Sequence, residues 1–385
     1  MTQLPPQILQ DPALRRVLDA LQAQGDGAWL VGGVVRNALL GEPVDDIDIA
    51  TDATPDRVQA LARAAGLRAV PTGIDHGTVT LVADGQGFEV TTFRRDIETD
   101  GRHATVAFST DLAEDAARRD FTMNALYADA SGQVIDPVGG LPDLAARHLR
   151  FVGDPEARIA EDYLRILRFF RFFARYGRQA DPAAVAACAA HRDGLSRIAR
   201  ERIGAETKKL LAAPDPGPAV ALMAQTGVLD LVLPGADPAA LDALLAAEPA
   251  PGGWLRRLAA LCPTGPAPDL RLSRAEARAL SALHQARARD WSLDEAAFRL
   301  SPEAAADHAV LRAAQGHPLP PDLSARIAAA TEIPMPIAAA DLAPLEGPAL
   351  GRALKAAEAA WIASGFTLPA PALIDAALLA EEDPT

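Results

Sequence analysis

Strand-forming signal in this 385-residue chain is confined to its first part. β-branched residues thin out after residue 150, and the remainder of the chain is rich in Ala and Leu. That division restricts the chain to an α+β arrangement, with a small mixed sheet near the N-terminus and an all-helical remainder. The length allows two to four domains and a sizeable core. Pro/Gly-rich breaks at Pro214–Pro218, Pro249–Gly253, Pro263–Pro268 and Pro318–Pro321 cut the helical part into short segments. No repeat of fixed period is visible.

Local patterns place the elements. Residues 12–24 have amphipathic helical spacing. Ala28–Val31 is a brief apolar strand ending in Gly32-Gly33, and Val34–Leu40 is helical up to Gly41. Asp46–Ala50 alternates acid and apolar residues like a half-buried strand. Thr54 and Pro55 open a helix running to about Gly66. Thr78–Ala83 and Phe88–Phe93 read as strands joined by Asp84–Gly87. Residues 94–110 are polar and mixed, and read as a mobile loop. Strand signals return at 125–128 and 133–135. Beyond Asp154, residues 155–177, 182–190 and 199–213 are helical.

The net charge of −14 is unexpected for a binder of polyanions, but its distribution is uneven. Residues 1–146 carry net −11, residues 147–209 net +6, and residues 210–385 net −9. The middle block holds 14 basic side chains, 12 of them Arg, against 8 acidic. Such a block is either a solvated helical face or a phosphate-binding surface. No apolar run approaches the roughly 20 residues of a membrane span, and no apolar signal core follows the first charges. Cys188 and Cys262 lack metal-ligand spacing and read as buried thiols in a reducing cytoplasm.

Four constellations carry chemistry. In the first, Gly32, Gly33 and Arg36 precede Asp46 and Asp48. Residues i and i+2 of a strand share a face, so the two carboxylates can hold one or two Mg²⁺ side by side. Gly33, before a helix N-terminus, lets a triphosphate approach backbone N–H groups. Alone, an Asp-x-Asp pair is more often a solvated strand face. In the second, Glu89 lies on a strand with Thr91 and Phe93, either as a third carboxylate or as an outward-facing side chain. In the third, Arg119 and Asp120 suit a triphosphate and a ribose, with Asn124 one helical turn on. A surface ion pair is the competing reading. In the fourth, Glu161, Asp162, Arg165, Arg168 and Arg171 form a polar stripe interleaved with large apolar residues. An i, i+4 salt-bridged face would explain it, worth a few tenths of a kcal/mol. Yet a stripe flanked by buried aromatics would line a cleft, where such groups can pair with base edges.

Taken in order, LVGGVVRNALLG, DDIDIATDATP, HGTVTLV, FEVTTFRRD, RRDFTMNALY, IDPVGG and EDYLRILRFFRF resemble the class II CCA-adding tRNA nucleotidyltransferases and the related bacterial poly(A) polymerases. The resemblance is specific over residues 28–178 and fades beyond 210. It implies a polymerase-beta-type nucleotidyltransferase head (residues 1–146), a helical neck with the nucleotide-template helix and basic surface (147–213), and a helical, RNA-binding body and tail (214–385). It implies two Mg²⁺ ions on Asp46 and Asp48, with Glu89 as third acidic group. Gly32, Gly33 and Arg36 would meet the phosphates of CTP or ATP, and Arg119, Asp120 and Asn124 the triphosphate and ribose. Asp162 and Arg165 would pair with the base, Glu161 would position Arg165, and Arg168 and Arg171 would complete the helix. Arg94–Ala107 would be a flexible loop aiding the switch from C to A addition. Asn37 departs from the family's usual Asp after the Arg.

The resemblance implies addition of CMP and AMP to the acceptor end of tRNA, in the cytoplasm, with no membrane and no DNA involved. A poly(A) polymerase would be expected to carry a basic C-terminal extension, whereas this C-terminal block is net negative. A partial CC- or A-adding enzyme is a further alternative, and the length of the 94–107 loop speaks against the CC-only form. Intact Asp46, Asp48 and Glu89 argue against a non-catalytic RNA-binding protein. A metal-dependent phosphohydrolase domain would need a His-Asp dipeptide, and none of the seven His precedes an Asp.

Overall fold

A computed structural model describes residues 2–99, 104–263 and 269–382. The chain divides into two compact units, Met1–Pro234 and Gly235–Thr385.

The first unit opens with two helices, α1 (Pro6–Leu9) and α2 (Pro12–Gln22). The Asp11 carboxylate accepts the Ala13 amide at 2.8 Å, and Pro12 occupies the first helical turn, so α2 starts where its cap allows. Next come β1 (Ala28–Val31), α3 (Gly33–Leu40), β2 (Asp48–Thr51), α4 (Pro55–Ala64), β3 (Arg68–Gly73), β4 (Thr78–Ala83) and β5 (Gln86–Thr92). Two further strands, β6 (Arg94–Thr99) and β7 (Ala104–Phe108), precede α5 (Leu112–Ala117), β8 (Tyr127–Ala128), β9 (Val134–Ile135) and α6 (Gly140–Ala146). The main sheet has seven strands in the order β3-β4-β5-β2-β1-β8-β9. Only β2 and β5 run parallel within it; the remaining neighbours are antiparallel. The sheet is mixed and helices succeed it in the chain, as the α+β reading requires. Val31, Ala50, Phe93, Tyr127 and Val152 form a core cluster against it.

The helical part of this unit begins with β10 (His148–Leu149), α7 (Pro155–Glu161) and α8 (Leu164–Tyr176). It continues with β11 (Gln179–Ala180), α9 (Pro182–Ala190), α10 (Arg200–Leu211), α11 (Gly217–Gln225) and α12 (Val228–Val232). Aromatic rings lock α8 onto the end of the sheet domain. Phe121 lies 4.9 Å from Phe151 and 5.1 Å from Phe172, and Phe151 lies 5.7 Å from Phe169. These are ordinary aromatic packing distances. The large apolar residues of the Arg-rich stretch are therefore core, which leaves its charged face to the site.

The second unit is helical throughout its described residues: α13 (Pro238–Ala247), α14 (Trp254–Leu261), α15 (Arg274–Ala288), α16 (Leu293–Arg299), α17 (Pro302–Ala313), α18 (Leu323–Glu332), α19 (Gly347–Ala363) and α20 (Ala370–Glu382). Its buried Arg257 donates to Glu248 at 2.9 Å, and Arg256 bridges Glu248 and Asp307. Among the described residues, no helix is long and apolar enough to cross a membrane.

Four local expectations are corrected. The stretch Arg94–Phe108 is not a loop: β6 and β7 pair as an antiparallel ribbon over its described residues, and residues 100–103 lie outside them. Helix 155–177 is two helices, because Asp162 is extended (φ −152°, ψ 106°) and its carboxylate accepts the Leu164 amide at 3.0 Å. An Asp that bonds the backbone locally competes with helical continuity. Asp46 precedes its strand, which begins at Asp48. The β4–β5 turn needs two residues, Asp84 and Gly85, both with positive φ (52° and 82°). That pair suits a tight hairpin turn whose twist matches that of the flanking strands.

Candidate active site

Register assembles the acidic centre. In the parallel pair of β2 and β5, Asp48 stands opposite Glu89. Asp45, Asp46, Asp48, Glu89, Thr80 and Gln86 line one open cavity of about 470 Å³. Burial first, then the charge of Glu89, pushes the Asp48 carboxyl above its usual range; Asp46 adds to this and Arg119 opposes it. Negative charge is thus crowded where a cation would relieve it. The carboxylates face the cavity rather than closing as a cage. Among the described residues, no three His, Cys, Asp or Glu side chains form a ready-made metal cluster. An all-oxygen, open donor set suits Mg²⁺, which keeps waters and takes substrate phosphates as ligands.

The glycine turn borders the same centre. Gly32 has φ 71° and ψ −116°, a backbone open to glycine but strained for other residues. A Cβ at Gly32 would sit 3.5 Å from Nη1 of Arg119. Arg119 is held from behind: Nη2 donates to Asp115 at 2.9 Å, and Nε donates to the Tyr127 hydroxyl at 3.0 Å. Burial works against the Arg119 charge, but Asp115 and Tyr127 outweigh it and raise its pKa. Asp115 also takes Arg118 at 2.7 Å. Asp115 and Tyr127 had no place among the sequence candidates. Their signal is only that an Asp lies one helical turn before the Arg pair.

Arg36, Asp120 and Asn124 meet and face one another. Nη1 of Arg36 donates to the Asn124 side-chain oxygen. Nη2 of Arg36 donates to the Tyr176 hydroxyl at 2.9 Å, and the guanidinium lies 4.1 Å from that ring's centre. Asn124 donates to Asp120 at 3.0 Å, and Asp120 takes two bonds from Arg168. Burial raises the Asp120 carboxyl, but Arg168, Asn124 and the Phe121 amide outweigh it and hold it below the usual range. Burial dominates at Arg36 and lowers its pKa. Asn37 accepts from Arg36 at 2.9 Å and donates to the Pro43 carbonyl at 2.7 Å. The second bond needs an amide, which an Asp could not supply.

Each Arg of the stripe has its own carboxylate. Arg165 donates to Glu161 at 2.5 Å and to the Arg158 carbonyl at 2.9 Å. Glu161 also pairs with Arg158. Arg168 reaches Asp120, and Arg171 meets Glu206 of α10 at 2.5 Å. Asp162 pairs with Arg202 of α10 at 2.7 Å. Arg202 and Glu206 lay outside the sequence candidates, because nothing local links them to residues about 40 positions earlier. Cys188 and Cys262 are free and buried, as read from the sequence.

Comparison with known proteins agrees with this geometry. Residues 28–150 match a family profile described as the poly A polymerase head domain, and residues 179–240 one described as a probable RNA and SrmB-binding site of polymerase A. A CCA-adding enzyme of Geobacillus thermodenitrificans is 42% identical over 246 residues, 63% of this chain and 57% of that protein. One from Levilactobacillus brevis is 43% identical over 223 residues, 57% of this chain and 53% of that protein. The chain thus spans little more than half the length of these curated relatives. The crystal structure of the Bacillus stearothermophilus CCA-adding enzyme in complex with CTP superposes with a TM-score of 0.74 at 31% identity. That superposition covers 92% of this chain and 94% of the other. The shared head, the carboxylate centre at β2 and β5 in the middle of its sheet and the near-complete structural overlap place this chain in the family of CCA-adding tRNA nucleotidyltransferases and poly(A) polymerases.

Proposed function

We propose that this chain adds CMP and AMP to the 3′ end of tRNA, drawing on CTP and ATP and releasing pyrophosphate. The observation that carries this reading is the β2–β5 register, which sets Glu89 against Asp48 in a cavity shared with Asp46. The name of one curated relative, a CCA tRNA nucleotidyltransferase of Danio rerio, supports the tRNA substrate, and the family generally uses divalent metals.

Asp46 and Asp48 would hold two Mg²⁺ ions, with Glu89 completing the acidic rim. When bound, the ions would lower the pKa of the attacking hydroxyl and neutralise triphosphate charge. The 3′ oxygen of the RNA forms a bond to the α-phosphorus, the bond to the β-phosphate oxygen breaks, and pyrophosphate leaves. Glu89, exposed as Asp46 is, would take the hydroxyl proton. The N-terminus of α3, from the Gly33 amide on, offers N–H groups to the triphosphate. Arg119 supplies fixed positive charge beside them, which favours the phosphates without reorganisation. Arg36, Asn124, Asp120 and Arg168 brace the sheet domain against α8, and the two Arg add positive potential around the nucleotide.

Base choice falls to α8 and its lead-in. Cytosine and adenine both present an exocyclic amine, where uracil and guanine present a carbonyl. Asp162 accepts from that amine, and Arg165, aimed by Glu161, donates to the ring nitrogen beside it. Residues 1–146 serve as the catalytic head and 147–213 as the neck that reads the base and holds phosphates. Residues 214–385 serve as an RNA-binding body and tail. A cytoplasmic site of action fits this work.

The deciding experiment incubates the protein with tRNA ending before CCA, plus CTP and ATP, and reads product length and sequence. Addition of CCA alone supports the proposal. A long A tail would replace it with a poly(A) polymerase, and arrest after CC or after a single A with a partial enzyme.

A further inference from the structure

The geometry points to Arg202 as a positioning residue for nucleotide selection, one that fixes the Asp162 carboxylate in the direction needed to read a base. This rests on the reading of Asp162 and Arg165 as the base-reading pair.

Asp162 sits at the break between α7 and α8, outside helical backbone geometry. No helix orients it, so its aim depends on its bonds. Its Oδ1 accepts the Leu164 amide at 3.0 Å. Its Oδ2 accepts Nη2 of Arg202 at 2.7 Å, with Nη1 of Arg202 at 3.5 Å from Oδ1. The planar guanidinium thus faces the carboxylate edge, and the plane of the carboxylate is set by the fork. A carboxylate offers about four lone-pair positions. These contacts leave the remaining ones open as acceptors in a fixed direction.

Helix stability does not explain Arg202. It is the third residue of α10, in the first turn, where the helix dipole disfavours a cation. The pair is also partly solvent-exposed, at 40% for Arg202 and 26% for Asp162, so its worth to global stability is small. Its consequence is directional. One turn on, Glu206 holds Arg171 from the same helix. Thus α10 meets both ends of the polar stripe with the opposite charge, and acts as the frame on which the base-reading side chains are aimed. Loss of the Arg202 fork frees the Asp162 carboxylate to rotate, and its penalty against a base carbonyl weakens.

The test uses the full chain with Arg202→Ala, Arg202→Lys, Asp162→Ala and the double variant. Incorporation of CTP, ATP, UTP and GTP on tRNA lacking CCA is measured with kcat and KM separated, beside thermal melts. Arg202→Ala is expected to raise UTP and GTP use relative to CTP and ATP by about 10-fold or more. The melting temperature should stay within about 2 °C of the parent. Arg202→Lys should recover part of the selectivity, and serves as the probe if the Ala variant does not fold. The double variant should be no less selective than Asp162→Ala alone. Retained selectivity in Arg202→Ala, with selectivity lost in Asp162→Ala, would overturn this inference and leave the base-reading pair standing. Retained selectivity in both would overturn the base-reading pair itself. A double variant worse than Asp162→Ala would show that Arg202 acts elsewhere, and would also overturn it.

Discussion

Glu89 stands directly across from Asp48 in the parallel pair of β2 and β5. Two carboxylates at one register position repel, and the raised pKa of Asp48 records that cost together with its burial. Asp48→Asn removes the repulsion. We expect it to abolish incorporation of both nucleotides while raising the melting temperature of the metal-free protein by about 1–3 °C. Retained turnover in Mg²⁺ would sink the metal assignment, and an unchanged or lower melting temperature would sink the repulsion argument.

The pH response of that centre has a definite sign. Asp48 takes up a proton more readily folded than unfolded, so its ionisation costs stability at neutral pH and the cost is relieved as pH falls. In the metal-free protein the Asp48 carboxyl should titrate above the value near 3.9 of an ordinary Asp. An NMR titration of the metal-free protein checks this, and an Asp48 midpoint at or below about 3.9 would contradict it.

Asp120 has the opposite sign. Its depressed pKa contributes stability that is complete above the ordinary carboxylate range and lost as pH falls through the folded value. Asp120→Ala strands Arg168. Breaking a fully buried pair costs about 3–5 kcal/mol. Arg168 is about one-third exposed, which reduces the expected loss to about 2–3 kcal/mol. Denaturant unfolding at neutral pH measures it. A loss below about 0.5 kcal/mol would mean that the pair does not brace the sheet domain against α8.

Arg165 receives its aim from Glu161 and the Arg158 carbonyl. Arg165→Ala should let UTP and GTP compete with CTP and ATP more than it weakens tRNA binding. Product sequencing beside a tRNA binding titration separates the two, and unchanged selectivity would count against α8 as the base reader.

The basic block of residues 147–209 should supply most phosphate contacts. Charge reversal at Lys208 and Lys209 is expected to reduce the slope of log affinity against log salt by about 1–2. An unchanged slope would move the tRNA backbone to another surface.

The sequence by itself determined the α+β division and most element positions. Each depends on short-range rules: strand alternation, Asp and Pro at helix starts, Gly at a positive φ. Helix Pro182–Ala190 lies where its spacing places it, and Cys188 is buried as read. Local rules also mislead where local competition is close. They made one helix of 155–177, although the Asp162 side chain claims the Leu164 amide, and a loop of residues that pair as β6 and β7. Tertiary structure alone decided which groups meet. Sheet order sets Glu89 against Asp48 across 41 residues of chain, and helix packing brings Arg202 to Asp162 and Arg168 to Asp120. Those pairings depend on strand order and packing angles between distant segments, which residue spacing along the chain does not encode.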